Sequence, residues 1–71
     1  MSTDQEKQKL AAAIIAKSWH KALDQGIETE LIASTAFSAS ISALVKTAGK
    51  DATIRIIKRL IGAIEDGRFD H

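Results

Sequence analysis

Seventy-one residues make one small domain, and the absence of cysteine removes disulfides and thiolate metal sites as sources of stability. Ten basic and nine acidic side chains nearly cancel, so the chain lacks the one-signed field of a nucleic-acid or membrane-surface protein. A chain of this size buries only about 60% of the surface its unfolded state exposes, and domains this small usually need a staple or an oligomeric partner.

The balance of charge also holds locally. Residues 1–25 carry four Lys against three acidic groups, residues 26–49 one against two, and residues 50–71 five against four. The first nine residues are polar and of mixed sign, unlike a signal peptide. No apolar run approaches the roughly 18 residues of a membrane span. These features lead us to expect a cytoplasmic protein with no membrane contact. There is no proline, the four glycines are widely spaced, and the isoleucines do not alternate with polar residues. The pattern predicts an all-α fold: a small three-helix bundle, up-down-up, with short Gly-containing turns and helix 2 central, as a single domain over residues 1–71.

Helix 1 is expected over about residues 4–25. Ser2 or Thr3 can cap it, and Thr3 with Glu6 has capping-box spacing. Ala12, Ile15, Ala16, Trp19 and Leu23 share one face. Trp19 reads as a packing anchor whose indole N–H needs a partner if buried, with Ser34 and Ser38 as candidates. Leu10 and Ile14 lie off this stripe. They either widen the core stripe toward the N-terminal end or meet a third element or a partner chain. Gly26 stops the helix, Ile27 can staple the next one, and Glu28 and Glu30 place negative charge at its positive end.

Helix 2, over about residues 29–48, has no charged residue between Glu30 and Lys46. Its large apolar side chains are spread nearly all round, among alanines and serines. A helix without a strongly polar face is normally enclosed on most sides, and two flanking helices cannot easily enclose it. A serine hydroxyl can bond back to a carbonyl one turn earlier, which lowers the cost of burying it. One reading is a central helix with a thin, serine-coated solvent strip along Thr35, Ser38 and Ser42. The other places Ile32, Ala36, Ala39 and Ala43 in a subunit interface, where small residues allow close approach, together with Leu10 and Ile14.

Helix 3, over about residues 51–66, is the most amphipathic. Ile54, Ile56, Ile57, Leu60, Ile61, Ala63 and Ile64 share a broad arc, opposite Arg55, Lys58, Arg59, Glu65 and Asp66. Asp51 is expected to cap it and Gly67 to end it. Fully burying one Ile contributes about 1.5–3 kcal/mol, so this face calls for partners; helix 2 and the Trp19 region of helix 1 are expected to cover it. Phe69, past Gly67, is placed to fold back on the last turn.

Few residues suit chemistry. His20 and Asp24 are one helical turn apart, so they can hydrogen-bond, but no further metal ligands accompany them. His71 is terminal. No glycine cluster cradles a phosphate, and no serine sits in a nucleophile elbow. Neither catalysis nor a cofactor is expected. Arg55, Lys58 and Arg59 form the best recognition strip, suited to phosphate or an acidic partner. A helix-turn-helix reading around Gly49 fails in detail: Arg55 stands where an apolar residue should pack, and Val45 where Ala is usual. No aromatic side chain interleaves the strip to stack a base, and local pairing of Asp51 with Arg55 explains it more simply. The sequence therefore favours a non-catalytic protein–protein interaction module acting as a homodimer. The alternative is a small nucleic-acid-associated regulator using the basic strip.

Overall fold

In a computed structural model that describes residues 3–70, the chain forms α1 (Asp4–Asp24), α2 (Thr29–Ala48) and α3 (Lys50–Glu65), with no strand among the described residues. The all-α reading holds, and the boundaries fall within a residue or two of those the sequence implies. Ser2 and His71 lie outside the described residues.

Local chemistry sets each helix end. Thr3 is extended, and its hydroxyl oxygen accepts from the Glu6 N–H at 3.1 Å. The same hydroxyl donates to Glu6 Oε1 at 3.2 Å. The capping-box pair is therefore formed, with the Glu6 carboxylate on the hydroxyl rather than on the Thr3 amide. At the other end of α1, Gly26 has φ +81, its N–H donates to the Leu23 carbonyl at 2.9 Å, and the Ile27 N–H donates to Ala22 at 3.2 Å. This pair of bonds satisfies carbonyls that the helix leaves open. Gly67 closes α3 in the same way, through Gly67 to Ile64 and Arg68 to Ala63, both at 3.1 Å.

The junction of α2 and α3 differs from expectation. Asp51 is not the cap. Gly49, at φ 90 and ψ 165, holds that position without any side-chain bond, and α3 starts at Lys50. That backbone region is essentially restricted to glycine. It lets the chain turn in one residue, which draws Asp51 into the first helical turn. There its charge still favours the positive end of the helix.

The chain divides into two compact units, residues 1–35 and 36–71, with the boundary inside α2. In the first unit, Trp19, Ala22 and Ile32 are half-buried and every other described residue is exposed. In the second, Ile41 and Leu44 of α2 and Ala52, Ile56, Ile57 and Ala63 of α3 are half-buried. Thr53, at 2% exposure, is fully enclosed. No hydrophobic residue among those described is buried. The expectation that the isoleucine arc of α3 is covered is thus corrected: Ile54, Leu60, Ile61 and Ile64 remain 40–62% exposed. The reason is geometric. The arc from Ala63 to Ile54 takes up half the helix circumference, and packing within the second unit covers a narrower strip than that.

Candidate interaction surface

The second unit carries an apolar cleft of about 320 Å³ lined by Phe37, Leu60, Ile61, Ile64 and Phe69. Phe37 stands twelve positions before Gly49 and Ile61 twelve after it. A turn at Gly49 therefore brings them to the same level, with α3 returning alongside the last half of α2. Phe69 reaches the cleft through the turn after Gly67, which the Asp70 N–H closes by donating to the Gly67 carbonyl at 3.1 Å. The tail folds back beside Ile61 and Ile64, as its place just past the helix cap suggested.

None of the five lining side chains carries a polar atom. The cleft offers no hydrogen bond, no charge and no titrating group, so it recognises shape and hydrocarbon only. Its walls are poorly covered: Phe37 is 51% exposed, Ile61 52%, Phe69 57% and Ile64 62%. Contiguous exposed apolar surface of this kind marks interaction sites on soluble proteins. Phe37 does not stand out in the sequence, where it is one of several large apolar side chains on α2. The signal was its equal and opposite distance from Gly49, which becomes readable once Gly49 is known to turn the chain in one residue.

The stripe Ile32, Ala36, Ala39 and Ala43 occupies the side of α2 opposite Phe37, Ile41 and Leu44, by helical spacing. Ile32 is half-buried; the three alanines are exposed. Leu10 and Ile14 are also exposed, and so is every residue from Thr3 to Ser18. Three hydroxyls of α2 bond within their own helix: Ser34 to the Leu31 carbonyl at 3.2 Å, Ser40 to Ala36 at 2.8 Å, and Thr47 to Ala43 at 2.9 Å. The Ser34 hydrogen is therefore committed to Leu31. By length and composition α2 is apolar enough to cross a membrane, with mean hydropathy 1.3. The sequence reading missed this because Ser and Thr interrupt any continuous apolar run. The uncharged stretch Leu31–Val45, however, spans only about 22 Å at 1.5 Å per residue, short of a hydrocarbon core of about 30 Å.

Arg55, Lys58 and Arg59 are all exposed on one strip of α3, with half-buried Gly62 beside them. Asp51, Glu65 and Asp66 fall on the same side of the helix and are exposed too. Three cations and three anions share the strip, so its net field is close to zero. A phosphate backbone gains affinity from uncompensated cations, and this strip supplies none in excess. His20 is exposed, and among the described residues no group of three His, Cys, Asp or Glu is placed to hold a metal ion. Comparison with protein-family models, with curated proteins and with solved structures gives no match to this chain.

Proposed function

We propose that this protein is a small, non-catalytic interaction module that acts as a homodimer in the cytoplasm. The observation that carries the reading is the state of α3: Ile54, Leu60, Ile61 and Ile64 are all exposed, in a chain with no buried hydrophobic residue among those described. Leaving such side chains in water forgoes about 25 cal/mol for each Å² of apolar surface. A small domain recovers that free energy by association.

Sedimentation velocity at low and high micromolar concentration tests the proposal. The expected result is a mass twice that of the 7.7 kDa chain, with a melting temperature that rises with protein concentration. A folded species of single-chain mass throughout that range would overturn it. A mixed complex in place of the homodimer would keep the interaction module and replace its partner.

A further inference from the structure

We propose that the second copy docks on the cleft of the second unit, face to face with its own equivalent, about a two-fold axis that passes beside Ile61. This rests on the homodimer reading and names the surface and the register.

The exposed apolar area matches what a dimer needs. Phe37, Ile54, Leu60, Ile61, Ile64 and Phe69 are each between two-fifths and two-thirds exposed. Half of six large side chains leaves on the order of 600 Å² of apolar surface per copy. A standard interface takes about 800 Å² from each partner, and homodimer interfaces are about 65% apolar. Those figures ask for about 520 Å² of apolar surface, an amount that these six exposed side chains together carry.

The charges at the rim are self-complementary in one register. Lys58 and Glu65 lie on the same edge of the stripe that carries Ile54 and Ile61, two turns apart, and both are exposed. Their midpoint falls between Ile61 and Gly62. A two-fold axis perpendicular to α3 at that point runs the two α3 helices antiparallel. It sets each Lys58 opposite the second copy's Glu65, giving two complementary contacts at the rim of an apolar centre. A parallel two-fold, with its axis along α3, would instead put the two copies' Lys58 and Glu65 on opposite edges and leave both without a complementary charge. A self-complementary patch of this kind is what a two-fold interface requires. Rim charges of this sort fix register and partner choice more than they add affinity.

The test uses the intact chain. In the first arm, Lys58→Glu and Glu65→Lys are made singly and together. Each single reversal should weaken the dimer about tenfold, since both rim contacts become like-charged. The double variant should return to within about threefold of the parent. In the second arm, Ile61→Cys provides the only thiol in the chain. Under mild oxidation it should give a covalent dimer of undisturbed helicity. Ala39→Cys, on the opposite face of α2, should not.

A dimer that crosslinks through Ala39→Cys but not Ile61→Cys overturns this docking face and leaves the homodimer standing. Single reversals without effect, or a double variant no better than the singles, overturn the antiparallel register. A parent that is monomeric at high micromolar concentration overturns both proposals.

Discussion

The Thr53 hydroxyl donates to the Gly49 carbonyl oxygen across 2.7 Å, and the Thr53 N–H meets the same oxygen at 3.1 Å. Two donors on one acceptor tie the first turn of α3 to the residue that reverses the chain. Thr53 is also the one fully enclosed side chain described. The tightest point of the second unit is thus a polar anchor at the turn rather than a hydrophobic centre. Thr53→Val keeps the branched shape and removes the hydroxyl bond, at a cost of about 0.5–1.5 kcal/mol. Thr53→Lys forces a charge into an enclosed position, 2% exposed in the parent, and should cost more. Urea unfolding followed by helicity checks both. Equal midpoints for the parent and the Lys variant would show that Thr53 is not enclosed.

Glycine replacements separate turn chemistry from helix propensity. Gly49 occupies a region that side chains avoid, and Gly26 the left-handed region. Gly49→Ala should therefore cost about 1–3 kcal/mol and Gly26→Ala about 1–2 kcal/mol. Gly62 is inside α3, with open space where a Cβ would stand. Gly62→Ala should instead stabilise, by about 0.5–1 kcal/mol. The three thermal midpoints measured at one protein concentration check the order, and a Gly62→Ala variant that melts below the parent would contradict it.

The neutral strip of α3 gives a prediction for the alternative role. Because Asp51, Glu65 and Asp66 offset Arg55, Lys58 and Arg59, fluorescence polarisation should detect no binding to duplex or single-stranded nucleic acid even at low salt. Replacing Glu65 and Asp66 together by Gln and Asn should create weak, salt-dependent binding. Tight binding by the parent, abolished by Arg55→Ala with Arg59→Ala, would restore the nucleic-acid reading.

Helix positions were legible because they depend on neighbours in sequence. Thr3 and Glu6 write the start of α1, and Gly26 and Gly67 write two of the ends. The cap of α3 was misread because Asp51 has the right chemistry for an N-cap, whereas the backbone freedom of Gly49 decided the matter one residue earlier. The apolar arc of α3 was legible as a pattern. Which part of it stays wet was not, since that depends on how wide a strip α2 covers. The cleft was half legible: Phe69 follows from its helix cap, while Phe37 needs the reach of the Gly49 turn.

The bare start of α1 makes the last prediction. From Thr3 to Ser18 every residue is exposed, so this part of the helix has only local support. The Thr3–Glu6 cap contributes about 1 kcal/mol, and the alanines at 11–13 and 16 have the best propensity. Helices without tertiary packing are marginal in water at this length. Amide hydrogens from Lys7 to Lys17 should therefore exchange much faster than those of Ile56–Ala63, at every protein concentration. Thr3→Ala should speed them further without slowing or speeding α3. If the α1 amides instead become protected as concentration rises, in step with those of α3, then Leu10 and Ile14 are covered by the second copy. The docking face would then extend beyond the cleft.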